Sequence, residues 1–238
     1  MISFDFDKIA PLCGGFGLEL TDEIRDRLSI YGNLLLEWNE KMNLTAITEP
    51  AEVLFKHFYD CLLFLKHIKV KENARIIDVG TGAGFPGMVL KIARPDIDLT
   101  LLDGLNKRLV FLGEVLERLG LTAETLHRRA EEAGRDTKYR ERYDIACARA
   151  VAAMPALCEY CMPFVKKDGL FVAMKGQSAK EEAVSAANAI KILGGEKPTI
   201  ICETLTGNEQ RAFIITKKIS QTPSKYPRHG GKISKSAL

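Results

Sequence analysis

No run of about 18 apolar residues, the length a membrane-spanning helix needs, occurs anywhere in this chain. The first residues carry Asp5 and Asp7 and no long apolar segment, which is not the pattern of an export signal. The expected location is therefore the cytoplasm, where the six cysteines (13, 61, 147, 158, 161 and 202) stay reduced. Cys158-Glu-Tyr-Cys161 has no second pair at zinc-finger spacing and no nearby histidine. A zinc site needs a full ligand set, so no metal is expected and the pair is read as core packing. Acids are missing from Lys217 onward, where six basic residues (217, 218, 225, 228, 232 and 235) stand alone. The rest of the chain holds 28 basic and 31 acidic residues. A slightly acidic body thus carries a basic tail, which either neutralises phosphates of a nucleic acid or frays in solvent. At 238 residues the length suits one sizeable α/β core with a small extension.

What is present is concentrated in Ala74-Arg75-Ile76-Ile77-Asp78-Val79-Gly80-Thr81-Gly82-Ala83-Gly84-Phe85-Pro86-Gly87. A β-rich run ends in a carboxylate, and alternating glycines lead into a helical pattern: a strand, a tight turn and a helix. Gly80, Gly82 and Gly84 permit positive φ and close backbone approach to a ligand. Read from Gly82 the stretch spells GxGxxG, but that register starts too far beyond the strand for a dinucleotide turn. Read from Gly80, the third glycine of that fingerprint falls on Phe85. The pattern Asp-x-Gly-x-Gly-x-Gly instead resembles the first motif of class I methyltransferases that bind S-adenosylmethionine. In that reading Asp78 faces a cationic ligand, which a carboxylate attracts and a pyrophosphate would not tolerate.

Around this stretch strands and helices alternate. Thr21 caps an amphipathic helix reaching Trp38, and Pro50 opens a second, with Val53, Leu54, His57, Phe58, Cys61, Leu62 and Leu65 on its apolar face. His57, beside Asp60, reads as a core histidine bonded to a neighbour. After the glycine turn come a strand over 98–102 closing in Asp103, a helix over 107–119, and a strand over 122–126. Asp103 sits where nucleoside-binding sheets hold ribose hydroxyls. Glu131 lies just past a strand end, where it can accept from an adenine amino group, and a polar loop runs on to Arg142. The spacing then predicts a strand over 143–148 followed by Arg149, a helix over 152–164, a strand over 169–174 followed by Lys175, and a helix over 178–193. Strands over 199–202 and 212–216 come next as an antiparallel pair, which makes about seven strands. The expected organisation is a helical extension over 1–70, an α/β domain over 71–218 and a basic tail over 219–238.

Taken together, Leu36 through Thr45, His57-x-x-Asp60-Cys-Leu62, Asp78 through Gly87, Lys107-Arg108 with Phe111-Leu112, Arg129 through Glu132, Arg149-Ala150, Lys175-Gly176 and Lys225-Tyr226-Pro227-Arg228 give the chain a family resemblance. It resembles the glucose-inhibited division protein B family, bacterial methyltransferases that act on N7 of a guanine in 16S ribosomal RNA. The resemblance implies a class I methyltransferase fold, Rossmann-like and mostly parallel with an antiparallel last strand. It also implies S-adenosyl-L-methionine as cofactor and the small ribosomal subunit, at its 530 loop, as substrate. The family's cofactor contacts fall on Gly80, Phe85, Ala130, Glu131 and Arg149. With Asp78, Gly82, Gly84 and Asp103 these form the expected cofactor site. Lys225, Tyr226, Arg228 and Lys232 are the expected RNA contacts, with Tyr226 available for stacking. The tail departs from the family at Ser236-Ala237-Leu238, which lacks a proline. A monomer is expected.

The missing chemistry agrees with this reading. Guanine N7 already presents an in-plane lone pair, so its methylation needs no general base, and the strand ends offer Arg149 and Lys175 rather than a His or Glu pair. The Asn- or Asp-Pro-Pro-aromatic motif of amino-group methyltransferases is absent, and Cys147 lies within a strand without an activator. Arg149 is expected to position cofactor or guanine, and Lys175 to meet phosphate unless it forms an ion pair at its strand end. Three other readings remain open: an NAD-linked oxidoreductase, a non-catalytic ribosomal-RNA-binding assembly factor, and a class I methyltransferase with a non-RNA substrate.

Overall fold

The computed structural model describes residues 2–205, 207 and 209–238. The N-terminal part is helical: α1 (Ala10–Gly14), α2 (Asp22–Asn39), then α3 (Pro50–Glu52), a π-helix over Val53–Tyr59 and α4 (Asp60–His67) in direct succession. Thr21 caps α2 by accepting the Ile24 amide, Asp22 and Glu23 occupy its first turn, and Leu28, Tyr31, Leu34 and Leu35 are buried. From β1 (Arg75–Val79) the chain alternates through α5 (Gly87–Ala93), β2 (Asp98–Asp103), α6 (Asn106–Leu119), β3 (Glu124–His127), α7 (Ala130–Ala133), β4 (Tyr143–Arg149), α8 (Met154–Cys161), β5 (Val165–Lys175), α9 (Ala179–Ser185), α10 (Ala187–Ile192), β6 (Thr199–Thr204), β7 (Gln210–Lys217) and α11 (Gly230–Lys235).

The strands form one seven-stranded sheet in the order β3-β2-β1-β4-β5-β7-β6. The first five pair in parallel, while β7 runs antiparallel to both β5 and β6. Side-chain alternation splits the interior into two layers. Ile76, Cys147 and Val172 face a core shared with α2, α4, α5 and α6, whereas Ile77, Ala146 and Phe171 face α8, α9 and α10. The helices before β1 therefore share one continuous core with the sheet. Parallel order leaves the carboxyl ends of β1, β2, β4 and β5 side by side, and the site forms there.

Several elements differ from the periodicity. The stretch from Pro50 is not a uniform α-helix, because an i, i+4 apolar pattern does not distinguish α from a π segment. The helix over 178–193 breaks at Ala186, the one over 152–164 ends in a 3₁₀ turn at Met162–Phe164, and the polar stretch after Arg128 contains α7. The fifth strand starts early, at Val165, which pairs with Tyr143 ahead of a register irregularity.

The segment after β7 is not frayed but packs against the body. Lys218 is buried and donates to Met162 O at 2.8 Å, Val165 O at 3.1 Å and Thr222 Oγ1 at 2.8 Å. Tyr226 and Ile233 are buried as well. The physical reason is that the body supplies partners for the tail's polar groups: Arg140 donates to Thr222 O at 2.7 Å and Tyr226 O at 2.8 Å. Among the described residues no helix is long and apolar enough to cross a membrane.

Candidate active site

At the carboxyl ends of β1, β2 and β4 lies a cavity of about 650 Å³, whose walls include Gly80, Asp103, Ala130, Glu131 and Val151. That is the size of a small-molecule site. Gly80, the first residue of the glycine turn, forms part of its wall. Gly80 and Thr81 donate to Leu102 O at 2.8 and 3.0 Å, which ties the turn to β2. Gly80 has φ +70°, and a Cβ there would meet Val151 Cγ2 at 2.8 Å. The Tyr31 hydroxyl of α2 donates to Ala83 O and locks the turn from the helical side. Asp103 is held on two sides: Oδ2 accepts from Gly82 N at 2.9 Å and Oδ1 from Leu105 N at 2.8 Å.

Several residues expected at the cofactor do not border this cavity. Asp78 shares the parity of Ile76, so its side chain points into the core beneath α5 rather than into the crevice. Its Oδ2 accepts from Thr81 Oγ1 at 2.7 Å and Gly87 N at 2.8 Å, and its Oδ1 has no hydrogen-bond partner among the described residues. Burial pushes this carboxyl up to about 6, against the pull of those two donors. Phe85 is buried, its ring stacked on His57 at 4.3 Å between centroids and lying beneath the Arg149 guanidinium at 4.8 Å. Gly82 and Gly84 shape the turn without reaching the cavity wall. Arg149 borders a different cavity.

That second cavity, about 320 Å³, is walled by Lys56, His57 and Asp60 from the π-helix and α4, Arg149 from β4, Lys175 from β5 and Arg211 from β7. Arg149 donates to Asp60 Oδ2 at 2.8 Å and to Lys56 O at 3.0 Å, and its Nη2 lies 3.1 Å from His57 Nδ1. Burial and the adjacent Arg149 charge push His57 down to about 3, so the ring is neutral, and its Nε2 pairs with Thr45 Oγ1 at 2.8 Å. Lys175 forms the strand-end ion pair, meeting Glu182 at 2.7 Å and donating to Ala152 O at 2.6 Å. The two cavities share one residue, Ala150. Its φ of +57° is unusual for a residue with a Cβ, and such outliers gather at functional sites. It turns the chain from Arg149 on one side to Val151 on the other.

The sequence did not single out Lys56 or Arg211, and it read His57 as core packing. Arg211 enters through sheet order, since β7 inserts beside β5 and sets Ala212 opposite Lys175. No local motif carries that signal. Cys147 and Cys61 are buried, and burial holds both thiols protonated, so neither is a ready nucleophile. Of the four tail residues, Lys225 and Lys232 are exposed, whereas Tyr226 is buried and Arg228 is bound to Glu159 at 2.7 Å. Among the described residues no group of three or more His, Cys, Asp or Glu is placed to hold a metal ion.

The strand order and the cavity at the carboxyl edge define a class I S-adenosylmethionine-dependent methyltransferase fold. A SAM-dependent O-methyltransferase from Thermotoga maritima matches it with a TM-score of 0.54 at 16% identity, over 79% of this chain and 72% of its own. The fibrillarin/Nop5p complex matches with a TM-score of 0.53 at 15% identity, over 74% and 87%. The family model described as rRNA small subunit methyltransferase G matches residues 24–214. Ribosomal RNA small subunit methyltransferase G of Acetivibrio thermocellus is 51% identical over 226 residues, covering 94% of this chain and 93% of its own length. The protein of that name from Clostridium perfringens strain 13 is 44% identical over 235 residues, 98% of each. The chain belongs to the rRNA small subunit methyltransferase G family.

Proposed function

We propose that this protein transfers the methyl group of S-adenosylmethionine to N7 of a guanine in the 16S RNA of the small ribosomal subunit, in the 530 loop that the family resemblance implies. The observation that carries this reading is the meeting of two cavities at Ala150, one at the strand ends with Asp103 and Glu131 among its walls beside Arg108, Arg128 and Arg129, the other with Lys56, Arg149, Lys175 and Arg211 around Asp60.

The first cavity fits the cofactor. Asp103 at the end of β2 offers carboxylate oxygens to ribose hydroxyls, Glu131 after β3 offers an acceptor to an adenine amino group, and Val79, Leu102 and Tyr160 supply apolar wall. When bound, S-adenosylmethionine supplies an electrophilic methyl group. Asp78 contributes by holding Thr81 and Gly87, and thus the shape of the turn.

The second cavity receives the guanine. Arg149 and Arg211 favour O6 or a flanking phosphate, because a donor on N7 would occupy the lone pair that attacks. The neutral His57 and protonated cysteines suit a transfer that removes no proton from the base. Catalysis is then chiefly orientation, an effect that contributes roughly 7–11 kcal/mol in well-aligned systems. The extension over 1–70 supplies Lys56, His57 and Asp60 to this wall, which gives it a role on the substrate side. Exposed Lys225 and Lys232 add phosphate contacts.

The test is transfer of labelled methyl from S-adenosylmethionine to unmodified small ribosomal subunits and to deproteinised 16S RNA, with the labelled nucleotide mapped. Label on one guanine N7 is the expected result. Cofactor binding without label on either RNA would redirect the activity to another acceptor.

A further inference from the structure

Arg228 and Glu159 are 69 residues apart in sequence and form an ion pair held by several hydrogen bonds. Glu159, on α8, is completely buried, and its carboxylate accepts from the Arg228 side chain through Nε at 2.9 Å and Nη2 at 2.7 Å and from the Arg228 backbone amide at 2.6 Å. Arg228 Nη2 also donates to Ser236 O at 2.9 Å, so one guanidinium ties both ends of the segment around α11 to the body. The segment so fixed reaches the cofactor cavity, where Gly230 and Gly231 form part of the wall, beside Glu131 and the neighbour of Glu159, Tyr160. Gly230 lies against Glu131 so closely that a Cβ on it would fall on Glu131 Oε1.

We propose that the Arg228–Glu159 pair seats residues 228–231 as the outer wall of the cofactor cavity, and that this wall holds the Glu131 carboxylate where it selects an adenine amino group. The inference rests on the cofactor reading above. Arg228 is thereby a positioning residue and not an RNA contact, and the tail is a component of the cofactor site. Gly230 is required because any side chain there displaces the carboxylate.

The experiment is calorimetric titration of the full-length protein with S-adenosylhomocysteine and with S-inosylhomocysteine, which replaces the amino group by a carbonyl. The wild-type protein is expected to prefer the adenosyl compound about tenfold or more, as sites built to accept a hydrogen bond from a substrate's amino group do. Gly230→Ala, at a half-buried position, is expected to bring that preference to within about twofold with an unchanged melting temperature of the ligand-free protein. Arg228→Lys, which keeps the charge but loses the two-pronged geometry, is expected to weaken the preference in the same direction. Full preference retained by Gly230→Ala would overturn the wall, and full preference retained by Arg228→Lys would overturn the anchor. Wild-type protein that binds both compounds equally would overturn the role of Glu131. Protein that binds neither would overturn the cofactor reading itself, and the inference with it.

Discussion

Arg149 and Asp60 meet at 2.8 Å, and the same carboxylate lies 3.3 Å from Arg211 Nε on the opposite side of the pocket, close enough for an ion pair though not aligned as a hydrogen bond. One buried anion therefore lies between two guanidiniums, which lowers the cost of keeping both cations inside the pocket, and Arg211 is paired besides to Glu209 at 2.8 Å. Charge alone is not what Arg149 supplies: it bridges Lys56 O, Asp60 and the edge of His57 from one planar group. A lysine cannot make those contacts together.

Arg149→Lys is accordingly expected to lower kcat/KM for methyl transfer to ribosomal RNA by about 100-fold or more, the scale of a broken charge-assisted network. Affinity for S-adenosylhomocysteine is expected to change less than about threefold, because Arg149 borders only the second cavity. Calorimetry beside single-turnover methylation checks both. Equal losses in binding and transfer would return Arg149 to the cofactor site.

Two buried titratable groups near the turn tilt stability in opposite directions with pH. His57 has an ordinary value of 6.5 and lies at about 3 in the fold. As pH falls below 6.5 the unfolded chain takes up the proton first, so this residue's contribution is lost toward acid. Asp78 rises from 3.8 to about 6, so the folded state takes up its proton first and this contribution grows as pH falls from about 6 toward 4. Urea unfolding across pH 4 to 7 should separate them. Relative to wild type, His57→Asn is expected to gain stability toward acid and Asp78→Asn to lose it, each by on the order of 2–3 kcal/mol. Parallel profiles for both variants would contradict the assignment.

These residues also mark how far the sequence was legible. Asp103, Glu131 and Arg149 lie at or just past strand ends, where the alternation put them, because strand ends in a parallel sheet follow from alternation and turn chemistry, whereas Ala130 was expected only through the family resemblance. Direction was harder. Asp78 lies at the expected strand end but on the core-facing parity, a difference of half a pleat. The π-helix that brings Lys56, His57 and Asp60 to one wall keeps the apolar spacing of an ordinary helix, so periodicity could not announce it. Arg211 and the partner of Arg228 depend on contacts between distant segments, about which local patterns are silent.

Gly84 separates conformational need from simple exposure. It has φ +104°, and a Cβ would meet Tyr31 Oη and Met88 Cγ at 2.7 Å and Leu112 Cδ2 at 2.8 Å. Gly84→Ala therefore combines left-handed strain with overpacking against a locked hydroxyl and is expected to cost about 3 kcal/mol or more. Gly113, exposed on α6 with nothing within 4 Å of such a Cβ, is the control. There Ala is expected to stabilise by about 0.5–1 kcal/mol through helix propensity. Denaturant midpoints with unchanged m-values would establish both signs.

The folded tail changes what a charge experiment should remove. Deleting it would strip Thr222, Tyr226 and Ile233 from the interior, leave buried Lys218 without one of its acceptors and expose apolar surface, so a failure to bind RNA would report unfolding as readily as a missing interface. Replacing Lys225 and Lys232 by Gln touches only exposed ammonium groups. For each phosphate left without its lysine, the slope of log K against log salt should become shallower by about 0.7–0.9, because one fewer counterion is released on binding. Arg228→Lys, whose cation already faces Glu159, should leave that slope unchanged. A slope that ignores both lysines would take the tail out of the RNA interface and leave the pocket around Arg149 and Arg211 to hold the substrate unaided.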